Sequence, residues 1–227
     1  MGTLSVDLAY EDCAVPIWLM RVMHAPDPDR RRRSNRRQDR PGAGLSRAIE
    51  GAPSIYFRLG TVFNHESGDL FSRVLAGLRE LQANLLVTVG REIDPASLGP
   101  QTANVRIERF VPQFEVLPHV DLVVSHGGPG SVLGALAHGR PMVVLPIGAD
   151  QPLNAVRISA LGAGRALDAI RATAAEVREA VASVPADGAC REAAGRLADE
   201  IAALAPPGVA VALLERLAQG RRRLTAS

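Results

Sequence analysis

From about residue 54 onward the sequence predicts a doubly wound α/β domain, a mostly parallel six-stranded sheet of the Rossmann-like kind. Three observations predict it. Short continuous apolar runs recur along the chain, among them NLLVTV (84–89), DLVVSH (121–126) and PMVVLP (141–146). Strands apolar at every position belong to sheets covered on both faces. Segments with apolar residues at helical spacing separate these runs, and glycine or proline closes most of them, as at Gly60, Gly90 and Pro146.

In chain order, SIYFRL (54–59) predicts a first strand that stops at Gly60. GDLFSRVLAGLRELQ (68–82) sets Leu70, Phe71, Val74, Leu75 and Leu78 on one helical face. Residues 84–89 form a second strand and NVRIERF (104–110) a third. A turn of helix at QFEVLP leads to a fourth strand at 121–126. A helix over 128–138, a fifth strand at 141–146 and a helix over 151–162 closed by Gly162 follow. GRALD (164–168) is a weaker sixth strand. Alanine-rich amphipathic patterns over 173–183, 188–204 and about 208–219 predict three last helices, and 220–227 is a frayed tail. Strands alternating with helices argue for parallel pairing. The domain is expected to span 54–219.

Composition narrows the function. At 227 residues and 47% apolar, the chain suffices for one α/β domain with extra ends. Residues 21–53 are rich in arginine and proline and read as a disordered linker. All 26 basic residues are arginine, which excludes a P-loop lysine, a Schiff base or a lysine general base within the chain. The net charge of +2 hides nine arginines against four acids in 21–50, so the body is mildly acidic and shows no nucleic-acid footprint. Cys13 and Cys190 match no metal spacing and read as thiols, and no metal ligands are expected. No apolar run approaches membrane-spanning length, and the first residues lack a signal-peptide pattern, so a cytoplasmic protein is the expectation.

Ligands of doubly wound sheets bind beyond the carboxyl ends of the strands. The chain's unusual residues collect there, in GTVFN (60–64), VPQ (111–113), HGGPGS (126–131) and PIGADQ (146–151). In HGGPGS, Gly127, Gly128 and Gly130 let backbone N–H groups approach a ligand without a Cβ in the way. They open a helix, whose N-terminus attracts phosphate. Ser131 adds a hydroxyl and His126 an imidazole N–H. The bland alternative is a glycine turn made for close packing. Asp150 and Gln151 head the next helix, either as helix-capping residues or as a carboxylate–amide pair for vicinal sugar hydroxyls. Asn154 is a further polar candidate. Thr61 either binds a phosphate or sugar oxygen or ends the strand. His65, His119 and His138 read as surface residues.

With these residues in view, the stretch from about 54 to 219 resembles the C-terminal donor-binding half of GT-B glycosyltransferases. It is most similar to the bacterial antibiotic and macrolide enzymes related to the UDP-glycosyltransferases. The likeness rests on LGTVFN, on VPQFEVLPHVDLVVSHGGPGSVLGALAHGRPMVVLPIGADQPLNA and on ALGAGRAL. The resemblance implies a UDP- or dTDP-sugar donor. Val111 to Gln113 would lie beside the base, His126, Gly128, Gly130 and Ser131 would hold the diphosphate, and Asp150 and Gln151 would hold the sugar. It implies direct transfer with inversion to a small, hydrophobic hydroxyl acceptor, and no metal or other cofactor, the helix N-terminus and the histidine neutralising the diphosphate. Gly134 stands where plant relatives carry a ribose-binding glutamate, and Arg58 occupies a strand position usual for small or β-branched residues. Residues 1–20, with AYEDCAVPIWL, resemble an interdomain connector. They are too few for an acceptor domain, and nothing positions His24 as a base, so no catalytic residue is assigned and an acceptor domain would come from another chain. Two other readings stand beside this one. A non-catalytic nucleotide-sugar-binding or accessory protein is one. The other is an NAD-dependent oxidoreductase, since Gly128, Gly130 and Gly134 with Asp150 mimic a dinucleotide fingerprint.

Overall fold

Each of the six runs expected to form a strand contributes one to the sheet. The structure is a computed structural model that describes residues 49–60, 68–91, 93–205 and 207–218. Six strands form its sheet: β1 (Ser54–Arg58), β2 (Asn84–Thr88), β3 (Val105–Glu108), β4 (Leu122–Ser125), β5 (Met142–Val144) and β6 (Gly164–Ala166). Between and after them run α1 (Leu70–Arg79), α2 (Gln113–Val116), α3 (Pro129–Ala137), α4 (Gln151–Ala160), α5 (Ala174–Ala186), α6 (Gly188–Ala203) and α7 (Pro207–Ala218). A 3-10 turn at Pro95–Leu98, capped by the Asp94 carboxylate, was not foreseen.

All strand pairs are parallel, in the order β3-β2-β1-β4-β5-β6. The chain builds outward from β1 to β3, then crosses back to lay β4 on the other side of β1. The crevice between the ends of β1 and β4 is therefore the point where the winding reverses, the usual ligand position of such sheets. There Arg58 pairs in register with Ser125.

The two faces carry separate cores. On one, Ile55, Phe57 and Leu59 pack with Leu70, Phe71, Val74 and Leu78 of α1 and with Val177, Val181 and Val184 of α5. The Phe57 and Phe71 rings stack with centroids 5.0 Å apart. On the other, Tyr56, Leu86 and Val123 pack with Val116, Val132, Leu136, Ala155 and Ile158 from α2, α3 and α4. Burial of each large apolar side chain contributes about 1.5–3 kcal/mol. The Tyr56 hydroxyl, buried by this packing, is satisfied by Thr88 Oγ1 at 3.1 Å.

Local signals explain the helix ends. Thr173 and Glu176 form a reciprocal capping box at the start of α5. Those bonds to Thr173 hold the Glu176 carboxyl below the usual range. Gly77 lies where α1 meets α5, and a Cβ there would stand 2.3 Å from the Ala174 carbonyl oxygen. The strands at 104–110 and 164–168 are shorter than expected, because the flanking residues turn away into loops before the sheet ends. The described residues up to Ala202 form one compact unit, and the described residues from Ala203 on, α7 included, fall in another. Among the described residues no single helix is long and apolar enough to cross a membrane.

Candidate functional site

The crevice is organised around His126. β4 ends at Ser125, and His126 follows directly, only 9% exposed. Its imidazole sits between two glycines. A Cβ on Gly60 would stand 2.8 Å from both Cε1 and Nε2, and one on Gly128 would stand 2.4 Å from Nε2. Neither residue can carry a side chain while the ring keeps this place. Gly60 also has φ +81°, a left-handed conformation that favours glycine. The ring's Nδ1 is buried and has no hydrogen-bond partner among the described residues. Burial pushes the His126 pKa down to about 4, with help from the nearby Arg58 charge and partial opposition from Asp150. Near neutral pH the unliganded imidazole is therefore uncharged. In that state it offers a hydrogen bond rather than a charge, whereas the expectation was a histidine that helps neutralise a diphosphate.

The N-terminus of α3 lies beside this ring. Gly128 is its cap residue, and Pro129 in the first turn has no N–H. The Ser131 and Val132 amides both turn back to the Gly128 carbonyl, at 3.0 Å each. Gly127, at φ +83°, donates its N–H to Ser125 Oγ at 3.2 Å. The expected row of open amides at 127, 128 and 130 is thus shortened, because Gly127 uses its own within the turn. Gly127, Gly128 and Ser131 are all buried here, with Gly130 beside them.

Gln113 links three elements. It opens α2, its Nε2 donates to the Gly130 carbonyl at 3.0 Å, and its Oε1 accepts from Arg58 Nη1. The Gly134 backbone makes room for it, since a Cβ there would come within 2.0 Å of Gln113 Nε2. Gln113 is accordingly a brace between β1 and α3, already bonded at both ends of its amide, rather than a side chain open to a base. Val111 is 6% exposed and its side chain belongs to the core, so only its backbone can face a ligand. Phe110 and Phe114, 70% and 58% exposed, flank this turn. Phe110 was read only as the end of a strand; its one sequence signal is an aromatic at the strand end directly before the VPQ turn.

The loop after β5 is shaped by Gln151. This side chain is 2% exposed, and its Oε1 accepts from the amides of Ile147 at 2.7 Å and Gly148 at 3.1 Å. Its acceptor oxygen is therefore engaged with the loop and not available to a sugar, contrary to the paired reading of Asp150 and Gln151. Asp150 is exposed, and its side chain makes no helix-capping bond. Asn154 Nδ2 donates both to Asp150 Oδ2 at 3.0 Å and to the Gly127 carbonyl at 2.9 Å, tying this loop to the histidine turn. Ala149 between them adopts φ +55°, a strained conformation for a residue with a Cβ.

Thr61, Cys13, His24 and His65 lie outside the described residues. His126, Gly128, Gly130, Ser131, Gln113 and Asp150 come together around the β1–β4 crevice. His138 bonds the Gly134 carbonyl at 2.9 Å within its own helix turn, away from any ligand role. Cys190 is a buried free thiol whose pKa burial raises. Among the described residues no group of three or more His, Cys, Asp or Glu could hold a metal ion. The glycine motif follows β4 and not β1, which separates it from the first-strand dinucleotide fingerprint.

Comparison with known proteins agrees with this fold. Residues 72–217 match the family described as the erythromycin biosynthesis protein CIII-like, C-terminal domain. The chain is similar to the demethyllactenocin mycarosyltransferase of Streptomyces fradiae, 34% identical over 171 residues, covering 75% of this chain and 37% of that protein. It is similar to the 3-alpha-mycarosylerythronolide B desosaminyl transferase of Saccharopolyspora erythraea, 43% identical over 119 residues, covering 52% of this chain and 28% of that protein. Among solved structures it resembles CalG4, the calicheamicin glycosyltransferase, with TM-score 0.68 and 30% identity over 76% of this chain and 45% of the other. It also resembles the spinosyn rhamnosyltransferase SpnG complexed with thymidine diphosphate, with TM-score 0.70 and 30% identity over 79% of this chain and 49% of the other. The chain spans less than half the length of these relatives.

Proposed function

Since the chain belongs to the family of the erythromycin biosynthesis protein CIII-like C-terminal domain, we propose that its β1–β4 crevice binds the nucleoside diphosphate sugar donor of a glycosyl transfer. One observation carries the reading: a buried, neutral histidine with an unpartnered ring nitrogen, set between two glycines at the reversal point of the sheet. Such a ring is a donor waiting for an acceptor, and a diphosphate oxygen is the acceptor most at home beside a helix N-terminus.

In this reading His126 donates to the diphosphate, with the Gly128 amide and the Ser131 hydroxyl alongside. Phe110 offers its face to the base, as exposed aromatics do in sequence-tolerant stacking. The uracil or thymine of a UDP or dTDP donor would lie by the backbone of Val111 and Pro112. Asp150 takes a sugar hydroxyl, while Gln151 fixes the loop that aims it. Thr61, outside the described residues, is a further diphosphate candidate. The donor is held without a metal. The reaction is direct displacement at the anomeric carbon with inversion, to a hydroxyl of a small hydrophobic acceptor. The base and the acceptor pocket come from outside this unit. Fixed dipoles around the departing diphosphate would stabilise the charge that develops on it.

Thermal unfolding with UDP, dTDP and their sugars tests the binding step. A ligand at a hundred times its dissociation constant adds about 2.7 kcal/mol to stability. A clear rise in the melting temperature with one of the two diphosphates is expected. No rise with either, at millimolar concentrations, overturns the proposal. Binding without turnover, once an acceptor-binding partner is supplied, favours a non-catalytic sugar-nucleotide-binding role instead.

A further inference from the structure

Arg58 is the charged residue of an otherwise apolar strand, and it ends β1 at the crevice. Alternation along the strand puts it on the same face as Tyr56, the face covered by α2, α3 and α4. Its backbone is in register with Ser125, the residue before His126, so guanidinium and imidazole share one crevice. Its Nη1 donates to the neutral amide oxygen of Gln113. Its Nε is buried with no partner among the described residues. The ion pairs among the described residues use Arg73, Arg106, Arg109 and Arg178. Asp150, the carboxylate near His126, bonds Asn154 and not Arg58.

A guanidinium with a buried, unmatched donor is costly to hold unless an anion completes it. Its planar fork matches phosphate oxygens better than any other side chain does. His126 is uncharged near neutral pH before a ligand arrives, so a diphosphate entering the crevice calls for a cation already in place there. We propose that Arg58 is that cation: steadied by Gln113, its guanidinium takes an oxygen of the donor's diphosphate while His126 adds a hydrogen bond. This rests on the crevice being a nucleoside diphosphate site and adds which residue carries its charge. The Arg58–Gln113–Gly130 relay also couples that charge to the start of α3, so the diphosphate would meet a cation and a helix terminus held in fixed relation.

Calorimetric titration of the full chain with UDP and dTDP, and ligand-observed NMR with uridine and thymidine, test it on the wild type, Arg58→Met and Arg58→Lys. Methionine keeps the aliphatic stem and removes the charge. For the diphosphate that the wild type binds, Arg58→Met should weaken affinity by about 10–100-fold. Its nucleoside should change by less than about threefold, and Arg58→Lys should fall between, since a point charge replaces the fork. Equal loss for diphosphate and nucleoside, or no loss, overturns the role of Arg58 and leaves the crevice reading standing. Failure of the wild type to bind either diphosphate overturns the crevice reading, and this one with it. Should Arg58→Met not fold, a crystal structure of the wild type with the diphosphate decides. A phosphate oxygen within about 3.2 Å of the guanidinium is expected; a phosphate lying beyond reach of it overturns the proposal.

Discussion

The space above Gly134 is occupied by Gln113: a Cβ at 134 would stand 2.0 Å from Gln113 Nε2 and 3.0 Å from Leu117 Cδ1. One residue is small so that another, on a different element, can reach across the helix to the Gly130 carbonyl. The absent side chain at 134 is thus part of how β1, α2 and α3 are joined.

Gly134→Ala should therefore separate stability from binding. The clashing atoms are the ends of flexible side chains, and alanine gains about 1 kcal/mol of helix propensity over glycine. Net stability should change by less than about 1 kcal/mol in chemical unfolding. Gln113 must leave its place, however, and diphosphate affinity should fall as it does in Gln113→Ala. The double variant should lose no more than either single one, since both break the same link. Additive losses would show that Gly134 acts elsewhere.

Gly128 tests the imidazole's seat without backbone strain. Its φ of −64° and ψ of 150° suit any residue, and the three atoms nearest a Cβ added there all belong to the buried His126 ring. A loss of about 1–3 kcal/mol is expected in urea unfolding. Combining it with His126→Ala should recover most of that loss. If the double variant stays as unstable as the sum of the singles, the ring does not occupy this place.

The histidine makes a signed prediction with pH. Its folded pKa is about 4, below the 6.5 of the unfolded chain. The unfolded state takes up the proton first, so stability is fully present above pH 6.5 and is lost as pH falls toward 4. The slope contributed by this group approaches about 1.4 kcal/mol per pH unit at most within that window. Unfolding free energy measured from pH 7 to pH 4.5 should fall more steeply for the wild type than for His126→Gln. Parallel curves would contradict the buried, neutral state.

In the β5–α4 loop the two expected sugar ligands should behave differently. Gln151→Ala leaves the Ile147 and Gly148 amides without their acceptor and should cost about 1–3 kcal/mol, whereas Gln151→Glu keeps an acceptor oxygen and should retain more stability. Asp150→Asn should leave stability near wild type and weaken binding of the sugar nucleotide relative to the bare diphosphate. An equal effect on both ligands would remove Asp150 from the sugar.

Much of the fold was legible because periodicity reports burial. The doubly covered strands, the helix faces and the Thr173 start of α5 all follow from local pattern. Side-chain direction is different, because it depends on partners distant in sequence. Gly134 read as a missing ribose contact, and its neighbour Gln113, brought over it by the packing of α2 on α3, could not be seen. Arg58 stood out as a charge in an apolar strand, yet its Gln113 partner lies 55 residues away. Gln151 read as a ligand because nothing local announces that its oxygen folds back on the amides of its own loop. His126 was legible as a candidate but its neutral state was not, since its charge follows from burial and from Arg58.

In the proposed donor site, a buried imidazole that is uncharged before binding completes its hydrogen bonding, at the reversal of the sheet, with a nucleoside diphosphate. Calorimetric titration of wild type and His126→Ala with the preferred diphosphate tests it most directly. About a tenfold or greater loss of affinity is expected in the variant, with the protein still folded. Identical dissociation constants for the two proteins would contradict it.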